Sequence, residues 1–299
     1  MRYKIIVITL IALFLFSLLT AKLLDIKEVS NQIVVIPING VIRTEGSTGF
    51  IDENVASSSV IVSFIEKAEK NDAIKGILLE INSPGGTVIA SKEIAESVKK
   101  SKKPTVAWIR EVGASGAYWV ASASDKIVAD PLAITGSIGV TGSYLEFSEL
   151  FEKHGITYQE LASGKYKEVG SPFKELTKEE RSLLEERINV IHNYFVDEVA
   201  RNRNLDRKSV EELATGAFYL GGEAKELGLV DVLGNREDAI NLLKNMTGLR
   251  EAELVKYELK RGFFDSLRRL SLEMFYFMGK GIGGNIKLIS EKEFNLELR

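Results

Sequence analysis

Three glycine-rich segments each follow an apolar stretch of the sequence, and they contain residues suited to catalysis. The segments are Asn82–Gly86, Glu111–Tyr118 and Thr135–Val140. In the second, Ser115 is flanked on both sides by glycine and alanine, so a substrate backbone could approach its hydroxyl closely. A glycine-rich turn ahead of a helix can also point backbone N–H groups at a developing negative charge. Together the segments are compatible with a serine nucleophile beside an oxyanion hole, although each alone could be a plain turn.

The composition excludes several other kinds of site. The chain has no cysteine and only two histidines, which excludes a thiol nucleophile and argues against a multi-histidine metal centre. Its 39 Lys+Arg and 42 Asp+Glu give a formal charge of −3, whereas a nucleic-acid-binding protein needs a basic face. Position 117 is alanine, so Ser115 does not match the Gly-x-Ser-x-Gly motif of α/β-hydrolases. We expect no metal, no cofactor and no nucleic acid.

A serine nucleophile needs a base, and the sequence offers few. His154 precedes Gly155 at a predicted helix end, and His192 lies within a long charged helix, so structural or solvent roles are favoured for both. Lysine is the remaining type of base. It must be neutral to act, so its pKa must fall below the usual value of about 10.4. Lys165 and Lys167 lie in a turn-rich segment that could serve this purpose or could be a solvated loop.

The elements that must position these residues begin with an apolar N-terminal segment. Ile5–Ala21 carries no charge and follows Arg2 and Lys4. Its 17 residues are at the lower limit for a spanning helix, and the basic residues before it predict that the rest of the chain faces outward. We expect residues 1–24 to form a single-pass cell-membrane anchor. A cleaved signal sequence is the alternative, but cleavage after Ala21 would put Leu19 where a small residue is required. Either places the catalytic domain on the extracytoplasmic side.

After a connector at residues 25–32, β-branched apolar stretches alternate with amphipathic helical patterns. The predicted strands are at 33–42, 76–81 and 104–109, and a helix is predicted at 91–100. Such repeats are typical of an α/β fold with parallel strands. Further along, a capping box at Thr177–Glu180 opens a long helix that runs to about Asn202. We expect one folded domain over residues 33–248. The extension at 249–299 could pack as a terminal helix or contact the membrane or another subunit.

Four motifs, taken together, resemble the signal peptide peptidase A family of membrane-anchored serine proteases. The resemblance covers roughly residues 33–240, and the motifs are Gly85-Gly86, Ala114-Ser115-Gly116, Thr135–Gly139 and Gly164–Lys167. It implies a ClpP/crotonase-like fold of repeated ββα units and a Ser-Lys dyad that works without histidine. It also implies peptide substrates, in particular signal peptides left in the membrane, and assembly into a homo-oligomer.

Matched motif by motif, the resemblance also implies roles for individual residues. Ser115 would be the nucleophile. Lys167 would be the base, because the family's lysine follows an aromatic or histidine position, here Tyr166. Ser137 would orient the lysine. The backbone amides expected to form the oxyanion hole are those of Gly86 and Gly116. Because a lysine base loses its proton only as the pH rises, we expect an alkaline activity optimum.

Three other interpretations use the same fold. A stomatin-type membrane protease also uses serine and lysine, but such proteins usually carry further C-terminal spans, and no segment after Ala21 is long and apolar enough for one. An acyl-CoA enzyme of the crotonase type usually relies on catalytic Glu or Asp, and an outward-facing domain has little access to CoA thioesters. A non-catalytic membrane scaffold is disfavoured by the presence of both Ser115 and Lys167.

Overall fold

The computed structural model describes residue 3 and residues 11–16, 31–45 and 55–258. Residues 11–16 are helical. Most of the predicted anchor, nearly all of the connector and residues 259–299 of the predicted C-terminal extension lie outside the described residues. Within the described ranges, no helix is long and apolar enough to cross a membrane. The fold reported below belongs to the compact unit Met1–Tyr257.

Strands and helices alternate along the described chain. The strands are β1 (Gln32–Asn39), β2 (Val41–Arg43), β3 (Val55–Ser57), β4 (Ile74–Ser83), β5 (Thr105–Ala114), β6 (Lys126–Ala129), β7 (Ile134–Gly136), β8 (Phe218–Leu220), β9 (Val232–Leu233) and β10 (Glu253–Lys256). The helices are α1 (Ser58–Lys70), α2 (Val88–Lys100), α3 (Gly116–Ser122), α4 (Ser148–Lys153), α5 (Lys178–Arg203), α6 (Arg207–Leu213), α7 (Gly221–Glu226) and α8 (Arg236–Thr247).

The main sheet is parallel along its length, which confirms the predicted α/β class. Its order is β10-β1-β4-β5-β6-β9, with β7 paired to the end of β5 and β8 antiparallel to β7. A separate parallel pair joins β2 to β3. Strand β10 pairs with β1, so the compact unit continues to Tyr257 rather than ending at 248. This edge strand was not predicted, because Glu253–Lys256 is short and charged at both ends and so contains no apolar stretch.

Apolar side chains cover both faces of the sheet, as the crossover helices of a parallel sheet require. Successive residues of β1 point to opposite faces. Val34, Ile36 and Ile38 pack with α1, α2, α3 and α5 in the larger cluster. Ile33 and Val35 join the smaller cluster against α8. The near-continuous apolar sequence of the central strands follows from this burial on two sides.

The parallel register brings the ends of neighbouring strands to one edge. Ile81 of β4 pairs with Ile109 of β5, and Ser83 then pairs with Gly113 after an irregularity in register. Gly136 of β7 pairs with Ala114. The turns that follow β4, β5 and β7 therefore meet, and in open parallel sheets this carboxyl edge is the usual position of a binding site.

Helix α5 supports this edge from one side. It begins at the predicted capping box, where Thr177 Oγ1 accepts from the Glu180 N–H at 3.2 Å. Further along, the Phe195 ring stacks on Trp119 of α3 with centroids 4.7 Å apart. Because α3 directly follows Ser115, this stack ties α5 to the turn at Ser115.

The carboxylate of Asp231 joins the end of α5 to the sheet. It accepts from Arg203 Nη1 at 2.8 Å, from the Ile127 N–H of β6 at 2.8 Å and from Lys126 Nζ at 3.2 Å. Burial raises the pKa of this carboxyl, but the hydrogen bonds and the charge of Arg203 outweigh that effect, so the pKa lies below its usual value. The ion pair therefore stabilises the fold most when Asp231 is ionised.

We predict that Asp231→Asn lowers the free energy of unfolding at pH 7 by about 3 kcal/mol, because it leaves the buried Arg203 guanidinium without its charge partner. A carboxyl whose pKa is lowered by folding stabilises above its unfolded pKa of about 3.9, and that contribution is lost as the pH falls through the folded pKa. The difference between variant and wild type should thus be complete at pH 7 and shrink below about pH 4. Urea unfolding at several pH values measures it. Asp72→Asn, at an exposed carboxylate, is the control, and an equal loss there would contradict the prediction.

Candidate active site

Ser115 occupies a strained turn between β5 and α3. Its φ of +54° and ψ of −125° are uncommon for any residue with a side chain. The turn is fixed on both sides, because the Ser115 N–H donates to Gly136 O at 2.8 Å and the Ser115 carbonyl accepts from the Trp119 N–H at 3.0 Å. A sharp strand-to-helix turn of this kind presents a serine hydroxyl at the edge of a sheet, here without the second glycine of the hydrolase motif.

The turn after β4 leaves one backbone amide unused. Gly85 has a φ of +102°, and its N–H donates to Ser83 Oγ at 3.1 Å. The Ile42 N–H donates to Gly85 O, and the Thr87 N–H donates to Ile42 O, both at 2.9 Å. These two bonds flank Gly86 without using its own N–H, which has no acceptor among the described residues.

The two glycine turns touch each other. A methyl group on Gly85 would lie 2.7 Å from the Gly116 nitrogen, and one on Gly116 would lie 3.2 Å from the Gly86 nitrogen. Gly116 is the first residue of α3, so its N–H also lacks a partner in the described structure. Two adjacent free amides beside a serine hydroxyl are the arrangement that stabilises an oxyanion. The predicted pairing of Gly86 with Gly116 therefore has geometric support.

Ser137 lies beside this turn, also with a left-handed backbone, φ +49°. Its N–H donates to Ala217 O at 3.0 Å, and its hydroxyl donates to Gly216 O at 2.9 Å. A hydroxyl has one proton and two lone pairs. Since the hydroxyl already donates its one hydrogen to Gly216 O, Ser137 Oγ can make a further hydrogen bond only as an acceptor.

Two cavities meet at Ser115. One of about 110 Å³ is lined by Gly86, Gly116 and Trp119, and one of about 380 Å³ is lined by Ser137. A larger cavity of about 820 Å³ lies between α5 and residues 142–146, but it does not include Ser115. We assign the site to the smaller cavities, because they contain the strained serine and the free amides. Ser115, Ser137, Gly86 and Gly116 are thus brought together.

Lys167 is not brought to the same place. It lies in the turns at 164–170, where its backbone N–H donates to Gly164 O at 3.1 Å. Its side chain is exposed and makes no hydrogen bond or ion pair within the described residues. Its neighbour Lys165 binds Glu179 Oε1 at 2.5 Å, and Tyr166 also donates to that oxygen. The hydrogen bond to Glu179 raises the pKa of Lys165, which disfavours Lys165 as a neutral base. The assignment of Lys167 stays a prediction.

Sequence reasoning set aside one residue that lines the site. His192 contributes to the 380 Å³ cavity with Ser115 and Ser137, and its Nε2 lies 3.0 Å from Ala214 O. Its spacing from Phe195 was the available signal, because residues three apart share a helix face and Phe195 faces the core. His154, in contrast, is exposed at the end of α4 as predicted.

Comparisons with known proteins identify the family of this chain. The sequence model for "Peptidase family S49" matches residues 97–250, and the model for "NfeD1b, N-terminal domain" matches residues 34–144. This chain belongs to peptidase family S49. It is 38% identical over 239 residues to "Putative protease MJ0651" of Methanocaldococcus jannaschii, covering 79% of this chain and 76% of that protein. It is 37% identical over 243 residues to "Putative signal peptide peptidase SppA" of Enterococcus faecium, covering 80% and 71%. The resemblance to SppA proteases is thereby confirmed, and this S49 member is a serine protease.

A solved structure supports the fold. A mutant of the 1510-N membrane-bound stomatin-specific protease superposes with a TM-score of 0.51 and 16% identity, covering 77% of this S49 chain and 99% of that one. At this identity the likeness shows a shared fold.

We predict that Gly116→Ala lowers both stability and peptidase activity. The added methyl would lie 2.2 Å from Ser91 Oγ in a buried position, and such overpacking costs about 1–3 kcal/mol. For a domain of this size that is a fall of about 2–4 °C in Tm per kcal/mol. Gly142→Ala is the matched control, since its methyl would meet only Ile188 Cδ1, at 3.6 Å. Thermal melts and peptide hydrolysis compare the two. Equal behaviour of both variants would mean that Gly116 is not tightly packed against Ser91 of α2.

Proposed function

We propose that this protein is a membrane-anchored serine endopeptidase that degrades signal peptides and other small or membrane-released peptides, with Ser115 and Lys167 as a catalytic dyad. The observation that carries the proposal is the strained Ser115 turn beside the free amides of Gly86 and Gly116. The family match and the SppA relative support it.

The chemistry follows from the residues. Lys167 Nζ takes the proton of Ser115 Oγ as that oxygen bonds to the scissile carbonyl carbon. The carbonyl oxygen gains the negative charge and accepts from the Gly86 and Gly116 N–H groups. When the C–N bond breaks, Lys167 returns the proton to the leaving amine. Water then repeats the sequence on the acyl-serine ester and releases the acid.

Ser137 would orient the base in this scheme. Its hydroxyl proton is held by Gly216 O, so Ser137 Oγ can accept an N–H of the neutral Lys167 amine. One amine hydrogen would then point to Ser137, and the lone pair would be free to face Ser115. This polarity suits a base, whereas a hydroxyl that donated to the amine would occupy its lone pair.

Completion of the site requires the segment at 164–170 to come against the Ser115 cavity. We expect assembly into a homo-oligomer to bring about this step. Several large apolar side chains exposed over residues 144–173 support such an assembly, among them Leu145 at 74% and Leu161 at 99% exposure. Burial of this surface would also exclude water from the lysine, as a neutral amine requires.

We further propose a ClpP/crotonase-like fold and an extracytoplasmic position of the catalytic domain, held by residues 1–24. The uncharged segment Ile5–Ala21 behind Arg2 and Lys4 supports the orientation. The parallel sheet and the stomatin-protease neighbour support the fold.

A stomatin-type membrane protease is the second candidate. The structural neighbour, a stomatin-specific protease of similar fold, favours it. Hydrolysis rates on signal-peptide sequences and on stomatin-derived peptides distinguish the two. A signal peptide peptidase should cleave the signal-peptide sequences faster, and a stomatin-type protease should cleave the stomatin-derived peptides faster.

We predict that Ser115→Ala and Lys167→Ala each abolish peptide hydrolysis, since one removes the nucleophile and the other its base. Circular dichroism should show both variants folded. Lys165→Ala is the matched control two residues away and should retain most activity, because Lys165 is paired with Glu179. Wild-type activity should increase toward alkaline pH. Full activity in Ser115→Ala would exclude the dyad, and loss only in Lys165→Ala would move the base to that residue.

We also predict a preference for small or apolar residues at the position before the cleaved bond. The 110 Å³ cavity beside Ser115 has Val88, Val140 and Phe195 in its wall, and it holds about four water-sized groups. Peptides with valine or leucine at this position should therefore be cleaved with a kcat/KM about tenfold or more above that of peptides with phenylalanine or lysine there. A fluorogenic peptide library measures this. Val88→Ala should improve cleavage after phenylalanine, and Val190→Ala, on the exposed side of α5, should not. Best cleavage after an aromatic residue in the wild type would show that this cavity does not bind that side chain.

A further inference from the structure

We infer that His192 is a positioning residue of the active site, which holds Ser137 in place through the segment Ala214–Ala217. We call this segment the strap. The inference rests on the proposed function in one respect, namely that Ser137 orients the catalytic base.

The hydrogen bond of His192 has a defined direction. Its Nε2 lies 3.0 Å from the Ala214 carbonyl oxygen, and a carbonyl can only accept. Nε2 therefore carries the hydrogen, and Nδ1 is the unprotonated nitrogen when the ring is neutral. The bond joins the middle of α5 to the start of the strap.

The strap in turn holds Ser137 by two hydrogen bonds and the next residue, Ile138, by a third. The Ser137 N–H donates to Ala217 O and its hydroxyl donates to Gly216 O, while the Gly216 N–H donates to Ile138 O at 3.0 Å. A methyl on Gly139 would lie 2.9 Å from Gly216 Cα, so the two backbones are in close contact. Any shift of the strap must therefore move the Ser137 hydroxyl.

The strap has few other side-chain anchors. Thr215, Gly216 and Ala217 are exposed, and only Ala214 is buried. Tyr219 holds the preceding carbonyl, Leu213 O, at 2.9 Å. Among the described residues, His192 is the only side chain on a helix that makes a hydrogen bond to the strap.

One face of α5 thus supports both sides of the cavity. His192 holds the strap, and Phe195, three residues later, stacks on Trp119 behind the Ser115 turn. The helix therefore adds a second link between the two serine turns, beside the direct hydrogen bond from the Ser115 N–H to Gly136 O. His192 also lines the cavity that contains both serines.

The test compares His192→Leu with His192→Gln. Leucine removes the donor and leaves Ala214 O unpaired, whereas the glutamine amide can place an N–H near the position of Nε2. We expect kcat to fall about tenfold in the leucine variant with KM nearly unchanged, and to recover largely in the glutamine variant. His154→Leu, the same change at the other histidine, is the control and should leave kcat and KM unchanged.

A second measurement does not depend on catalysis. Hydrogen–deuterium exchange of residues 213–218 should accelerate in His192→Leu and stay near wild type in His192→Gln. Unchanged kcat and exchange in His192→Leu would overturn the inference while leaving the dyad intact. Equal losses of kcat in both variants, matched by equal falls in Tm, would reduce His192 to a structural residue. Full activity of Ser115→Ala would instead refute the proposed function, and the exchange data would still decide whether His192 holds the strap.

Discussion

The close contact between the turns after β4 and β5 is the constraint on which the site depends. Parallel pairing ends both strands at one edge, but β5 must extend past β4 to place Ser115 opposite Gly86. The register irregularity between Ile81 and Ser83 provides this extension, and Asn82 Oδ1 accepts from the Val112 N–H at 3.2 Å across the interruption. A methyl on Gly85 would lie 2.7 Å from the Gly116 nitrogen across the gap, and one on Gly116 would lie 2.2 Å from Ser91 Oγ of α2 and 3.2 Å from the Gly86 nitrogen. Close packing therefore requires both glycines, and the positive φ of Gly85 favours glycine there as well.

The site consists of one rigidly held part and one loosely held part. Ser115, Ser137 and the two free amides lie on strand ends fixed by backbone hydrogen bonds and by a buried core. Lys167, the proposed base, lies on an exposed segment. The Lys165–Glu179 ion pair joins this segment to α5, and more than half of each of those two side chains is exposed. Exposed ion pairs contribute about 0–1 kcal/mol, so this pair holds the segment only weakly. In the proposed mechanism, burial of the segment would bring the lysine to Ser115 and favour its neutral form in the same step.

Much of the fold could be read from the sequence. The apolar β-branched stretches predicted β1, β4 and β5. The predicted end of β5 at 109 was too early, because the residues from there to Ala114 are mostly small or polar and extend no apolar pattern. The capping box correctly marked the start of α5. The edge strand β10 was missed, since a four-residue strand with charged ends has no periodic signal. At the site, the glycine motifs marked the turns that the structure brings together, whereas His192 was set aside because its position on a charged helix did not show which face it occupies.

The sequence alone determined which reactive groups are available: no cysteine thiol, only two histidines, a serine flanked by small residues, and lysines in a turn-rich segment. Residue types and local spacing establish this, because they set which protons and lone pairs exist. The resemblance of its four motifs to a protease family then implied how these groups would be used. The tertiary structure decided which of these groups meet. Ser115 lies beside Gly86 and Ser137 because parallel strands end at a common edge, and His192 reaches the strap because α5 packs across α3. Such contacts join residues far apart in the chain, so they depend on the register of the sheet and the packing of helices, which local sequence does not encode.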